Sequence, residues 1–285
     1  MPTKIEWAEE TWNPITGCTP VSEGCANCYA RRMATRLRGR CGYPADDPFR
    51  IVYHHKKYGE PLRWKKPRIV FVCSMGDLFH KDVDVRYLAE VFGVMKKAKQ
   101  HTFLLLTKRP ENVPRHESLW DKNVWLGVTA ENQQRADERI PILLQIPAAV
   151  RFVSVEPMLG RVCLDIHPGP EIGKPTGKGW RPASPGTIDW VICGGESGPG
   201  ARPMHPDWAR SLRDQCQTAG VPFFFKQWGK YCYPDQMPEY TYDAVDVHHN
   251  LAGHGDYNKP WGVGKKLAGR LLDDEEWNEM PAAEE

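Results

Sequence analysis

Apolar residues gather along this chain in short continuous runs rather than in strict alternation. Six stand out: Arg68–Cys73, Thr102–Leu106, Val124–Val128, Arg151–Val155, Asp189–Cys193 and Val221–Phe225. Runs of this length, rich in Val, Ile and Phe and bounded by polar residues, read as strands buried on both faces. Between them the pattern shifts to a helical period over Arg86–Lys99, Asn132–Gln145 and Pro206–Ala219, with Asp207 as the N-cap of the last. A weaker strand, Thr11–Thr16, comes first, and a helix over Ala30–Arg38 comes after it. The alternation predicts an α/β fold, a partial or complete (β/α) TIM-like barrel of six to seven parallel strands with loop insertions. Insertions are expected at 41–67 and at 161–187, the second rich in Gly and Pro. The expected organisation is a barrel over 1–229 and a C-terminal extension, 230–285, packing on it.

Polar and charged residues at the exit of each strand point to a site. Cys73 leads into Ser74-Met75-Gly76-Asp77, Leu106 into Thr107-Lys108-Arg109, and Val128 into Thr129-Ala130-Glu131. Val155 leads into Glu156, Cys193 into Gly194-Gly195-Glu196, and Phe225 into Lys226-Gln227. In parallel α/β folds the C-terminal strand ends converge on one face, where ligands bind. The expected rim holds Asp77, Lys108, Glu131, Glu156, Glu196 and Lys226.

Composition narrows the class. A chain of 285 residues with 41% hydrophobic content can bury a substantial core. No apolar run approaches the ~18 residues of a membrane span, and Met1–Trp7 holds no apolar leader segment. Nine cysteines, an odd number in an otherwise ordinary composition, do not resemble a secreted disulfide framework. A reducing cytoplasm is the expected compartment. The net charge of +2 conceals an uneven distribution, since Arg31–Arg68 carries twelve Lys and Arg against three Asp and Glu. Rings are interleaved there, as in Arg63-Trp64-Lys65-Lys66. Cations for phosphates and rings for bases suit a nucleotide or nucleic acid, although a solvated basic loop has the same composition.

Three cysteines, Cys18, Cys25 and Cys28, share one Gly- and Pro-containing loop before the first helix. Three thiolates leave a coordination position open, where metals do chemistry. With Cys41 as a fourth ligand, the same loop would instead be a structural zinc site in a nucleic-acid-binding protein. A third alternative is a hydrolase working through the rim carboxylates, with inert thiols. Cys73, Cys163, Cys193 and Cys216 are expected to fill the core.

The motifs Thr11-Trp-Asn-Pro-Ile-Thr-Gly-Cys18, Gly24-Cys-Ala-Asn-Cys-Tyr29, Phe71-Val-Cys-Ser-Met-Gly-Asp-Leu-Phe79, Arg151-Phe-Val-Ser-Val-Glu-Pro157 and Phe224-Phe-Lys-Gln-Trp-Gly229 resemble the phage Gp37/Gp68 family over almost the whole chain. That family in turn looks like a divergent relative of radical S-adenosylmethionine (SAM) enzymes. The resemblance implies that Cys18, Cys25 and Cys28 hold three irons of a [4Fe–4S] cluster and that SAM chelates the fourth. An electron from an external donor then cleaves SAM to a 5′-deoxyadenosyl radical. The common spacing is C-x3-C-x2-C, whereas this chain has C-x6-C-x2-C with Asn27 where an aromatic residue is frequent. By the same resemblance, Ser74, Gly76 and Asp77 meet the SAM ammonium, Lys108 or Arg109 its carboxylate, and Thr129 or Glu131 its ribose. Glu156, Glu196, Arg202, Lys226 and Gln227 are then substrate-side candidates, with Arg63, Trp64, Lys65 and Lys66 for a nucleobase, nucleotide or nucleic-acid substrate.

Overall fold

The structure, a computed structural model, describes residue 3 and residues 5–166, 187–237 and 259–281. Most of the expected 161–187 insertion (167–186), with 238–258 and 282–285 of the C-terminal stretch, lies outside the described residues. Seven strands form one sheet: β1 (Glu10–Trp12), β2 (Ile69–Val72), β3 (Thr102–Thr107), β4 (Val124–Thr129), β5 (Val150–Val155), β6 (Trp190–Gly194) and β7 (Phe223–Gln227). They pair in chain order and every pairing is parallel. The helices that follow the second, fourth and sixth strands pack against the same face of the sheet, as right-handed connections between sequential parallel neighbours would place them. The sheet curls into a half-barrel. Its last strand does not close onto β1; Phe224 instead pairs antiparallel with Asn278, and Phe225 N–H donates to Trp277 O at 2.9 Å. That contact covers an edge that would otherwise expose unpaired backbone groups.

Among the described residues the helices of two turns or more are α1 (Tyr29–Arg36), α2 (Val85–Lys97), α3 (Gln133–Leu143) and α4 (Pro206–Ala219). Asp84 caps α2 by accepting from Arg86 N–H at 2.8 Å, and Asn132 caps α3 by accepting from Arg135 N–H at 3.0 Å. For α4 the expected cap, Asp207, lies inside the helix and pairs with Arg210; His205 Nδ1 is the acceptor, with Pro206 in the first turn.

Alternate strand residues build two cores. Val72, Phe103, Val128 and Phe225 meet Val91, Met95, Ala136 and Leu212 of the helices. On the concave face, Leu104, Trp125, Phe152, Trp190 and Phe224 pack with Trp7 from the N-terminal segment. Trp7 sits edge-on to Phe71 at 4.7 Å and to Trp190 at 6.4 Å. Gly127 leaves room for the Phe152 ring, which a Cβ there would approach to 2.3 Å. Cys73, Cys193 and Cys216 are buried as expected, together with Cys232; Cys163 is exposed and contributes nothing to the core.

The expected strand Thr11–Thr16 splits in two. After β1 the chain reaches Pro14, which lacks an N–H, and Ile15–Thr16 turns away to pair antiparallel with Val52–Tyr53 of the insertion. Farther on, Trp64 lies edge-on to His101 with Arg68 over its ring, and Gln100 donates to Trp64 O. Since Arg68 and His101 immediately precede β2 and β3, this part of the insertion sits at the N-terminal ends of the strands.

Described residues of the C-terminal stretch are fastened to the sheet and to α4. Trp228 Nε1 donates to Leu271 O and Trp190 Nε1 to Glu279 O. Asp273 accepts from Arg210 and Arg213 at 2.9 and 2.6 Å. Burial pushes the Asp273 carboxyl up, but the hydrogen bonds from Arg210 and Arg213 outweigh it and bring it down to about 2. A carboxyl lowered from an ordinary 3.8 stabilises the fold fully above about pH 4, and that contribution fades as pH falls toward 2. Hydrogen exchange in 271–280 is therefore expected to accelerate between pH 4 and 2 before the central strands respond. Equal protection at both ends of that window would contradict the assignment.

Candidate functional site

The three-cysteine loop lies across the C-terminal end of the half-barrel. Its base is fixed on both sides: Gly17 N–H donates to Met75 O and Cys18 N–H to Phe49 O, each at 3.0 Å. Gly17 holds φ +100°, and a Cβ there would come within 2.0 Å of Arg50 O. Gly76 is needed for the same contact, because its Cβ would meet Gly17 O at 2.7 Å. Downstream the loop makes a short 3-10 turn, Glu23–Cys25, and Cys28 becomes the N-cap residue of α1.

Strand-end side chains clamp this loop one after another. From β3, Arg109 Nη1 contacts Cys18 Sγ at 3.3 Å and Asp77 at 3.1 Å, while Nη2 donates to Thr19 O at 2.7 Å. Asp77 also accepts from Thr107 Oγ1 at 2.8 Å and from Phe79 N–H. His80 Nε2 reaches Thr19 Oγ1 at 2.8 Å. After β4, Glu131 is fully buried and binds Ser22 Oγ, Lys108 at 3.1 Å and Arg139 at 2.7 Å. Gly24 passes so close that a Cβ would strike the Glu131 carboxylate. Asn132 and Arg135 hold Glu23. After β6, Glu196 pairs with Arg202 at 2.7 Å and accepts from Asn27 at 3.0 Å, and Arg202 donates to Glu23 O. Arg32 reaches the carbonyls of Ser197 and Pro199.

This changes the reading of several expected ligand residues. Asp77, Arg109, Glu131, Glu196 and Arg202 do gather on the expected face, but polar atoms of Arg109, Glu131, Glu196 and Arg202 hold the loop, and Asp77 holds Arg109. Gly76 serves a close backbone approach. Ser74 pairs with Asn13 of the β1 exit at 3.2 Å, and Thr129 O accepts from Arg139. Gln227 Nε2 donates to Gly195 O, which steadies the loop after β6. Glu156, just after β5, and Lys226, on β7, form a pair at 2.7 Å, both partly exposed, and are not engaged with the cysteine loop. Beneath them Ser154, on the same face, is buried with a hydroxyl that has no partner among the described residues. Arg63, Trp64, Lys65 and Lys66 stand at the opposite end of the strands from the cysteines, and Trp64 is packed rather than free to stack. The residues that the sequence reading missed are Asn13, Ser22, Glu23, Asn27, His80, Arg135 and Arg139. Only the spacing of Arg135 and Arg139 after Glu131, on one helical face, carried a signal.

The thiols are unequal. Burial pushes Cys18 up to about 11, with Asp77 adding to the rise and Arg109 opposing it. Burial also raises Cys25, but hydrogen bonding from the Val21 backbone and the charge of Lys108 outweigh it, and Cys25 falls below its ordinary value. Cys25 is the readier thiolate, and thiolates are what metals bind. Among the described residues, no three His, Cys, Asp or Glu side chains converge as the ligands of one metal ion would. A cubane cluster does not require that convergence, since each thiolate binds its own iron, and a donor set of three partly buried free thiols is chemically suited to it. Cys41, the fourth ligand of the zinc alternative, is exposed after the end of α1. A separate cavity of about 540 Å³, between Leu164, Ile166 and α4, holds no thiol and shares no residue with the loop.

Residues 2–281 match the family described as "Protein of unknown function (DUF5131)". The chain belongs to the DUF5131 family. No curated protein and no solved structure matches it. Among its described residues, no helix is long and apolar enough to cross a membrane.

Proposed function

We propose that this DUF5131 protein is a radical SAM enzyme on a partial TIM-like barrel, with Cys18, Cys25 and Cys28 holding a [4Fe–4S] cluster. One observation carries the reading: three thiols occupy a loop that follows the first strand of a sequentially ordered parallel half-barrel, clamped to the ends of β3, β4 and β6. When bound, such a cluster supplies the electron that cleaves SAM into a 5′-deoxyadenosyl radical. The chain's own residues hold the sulfur donors in place, shield one side with Ala30, Ala34, Tyr43, Phe49 and Met75, and present Glu156 and Lys226 on the concave face. That pair can hold or move a proton on a substrate lying against the concave face. A nucleobase, nucleotide or nucleic acid is the substrate class we assign. The exposed Arg36, Arg38 and Arg40, on and just beyond the helix that leaves Cys28, support it. The reductant is an external one-electron donor.

Anaerobic purification with iron and sulfide reconstitution tests the proposal. The wild-type chain is expected to bind iron and sulfide and to release 5′-deoxyadenosine from SAM under a low-potential reductant. Replacing Cys18, Cys25 and Cys28 together by Ala should abolish both. Iron content unchanged in that variant would remove the proposal.

A further inference from the structure

We infer that Arg109 and Asp77 form an opposed pair that sets the reduction potential of a cluster held through Cys18. The inference rests on the cluster reading above. Arg109 and Asp77 are both almost wholly buried, at 4% and 5% exposure, so little solvent damps their effect. One nitrogen, Nη1, bridges the two groups, lying 3.3 Å from Cys18 Sγ and 3.1 Å from Asp77 Oδ2. A clamp for the loop is already supplied by the other nitrogen, Nη2, on Thr19 O and Oγ1. Placing Nη1 on the sulfur adds nothing to that clamp that a neutral donor would not. It does put a fixed cation and a hydrogen-bond donor against one ligand atom, with an anion immediately behind.

Hydrogen bonds to ligand sulfurs and nearby charge are the protein's means of tuning such centres. Reduction adds one electron, taken from a low-potential one-electron donor, and breaks no bond. The added negative charge is stabilised by Arg109 and opposed by Asp77. The carboxylate therefore offsets part of the upward pull of the guanidinium. It also fixes the guanidinium plane through its bonds to Thr107 and the Lys108 N–H. Both residues become positioning residues for the cysteine rather than contacts for SAM.

The two partners should move the potential in opposite directions, which a merely structural role would not do. The test is an anaerobic redox titration of the reconstituted full-length chain, followed by electron paramagnetic resonance of the reduced form. Arg109→Gln removes the cation and leaves Asp77 unbalanced, so its midpoint should fall by at least a tenfold change in the reduction equilibrium, about 59 mV for one electron. Asp77→Asn, of nearly the same shape, should raise the midpoint. Arg109→Lys keeps the charge but loses the fork, and should fall between wild type and Arg109→Gln. If Arg109→Gln assembles no cluster, the opposite displacements of Arg109→Lys and Asp77→Asn decide the matter. Shifts in the same direction, or none, with iron and sulfide intact, overturn this inference and leave the cluster reading standing. A wild-type chain that binds no iron and sulfide overturns both.

Discussion

Replacing Glu131 by alanine is expected to lower unfolding stability by about 3–5 kcal/mol, the cost of breaking a buried ion pair from one side. Glu131 is fully buried between two cations, Lys108 at 3.1 Å and Arg139 at 2.7 Å. Burial alone would raise its carboxyl, but those two charges outweigh it and hold the group below its ordinary value. Removing the carboxylate strands Arg139, whose side chain is only 6% exposed, with Thr129 O as its remaining acceptor. Lys108, at 19%, can turn partly to solvent, so Arg139 supplies most of the loss. Ser22 loses the Glu131 carboxylate at the same moment, and among the described residues the cysteine loop is then held after β4 only through Glu23 on Asn132 and Arg135. Urea denaturation checks the magnitude, and a cycle combining Glu131→Ala with Arg139→Met isolates the pair. A loss below about 1 kcal/mol would show the carboxylate to be incidental, as with an exposed pair.

The second large effect is expected from Gly17→Ala. An L-residue at φ +100° is strained by about 1–3 kcal/mol before any contact is considered. The new methyl would also meet Arg50 O at 2.0 Å, and that atom belongs to backbone and cannot rotate away. The chain must therefore give up the paired hydrogen bonds at Gly17 and Cys18, and Cys18 moves off Arg109. Loss of the reconstituted iron at a temperature where the far-ultraviolet circular dichroism is unchanged is the expected outcome. A variant with normal iron content and unchanged urea midpoint would show that the loop base tolerates the displacement.

Strand positions were legible because each strand is buried on both faces, which writes a continuous apolar run into the chain. The six strong runs match β2–β7 to within two residues at either end. Thr11–Thr16 was only half legible, because Pro14 diverts the chain to a partner some forty residues away in the insertion. Capping failed at Asp207 because His205 offers an equivalent acceptor two positions earlier. The strand-end charges were legible as a cluster but not by role. A carboxylate that would meet a ligand and one that receives a loop hydroxyl look the same in sequence. Trp64 and its neighbouring cations likewise have the composition of a nucleic-acid surface, yet the ring is used against His101.

From the order of its residues alone, this chain sets the succession of strands and helices, the face each helix buries and the grouping of three thiols on one loop. Those properties depend on neighbours within a turn or a strand, and local chemistry is enough to specify them. The tertiary structure alone decided which strand-end groups remain available. Ser22 and Glu131 are 109 positions apart, Arg109 and Cys18 are 91, and Arg202 and Glu23 are 179. Such partners meet only because parallel strands in sequential order deliver distant loops to one rim, where a buried charge must find its counterpart in whichever loop arrives.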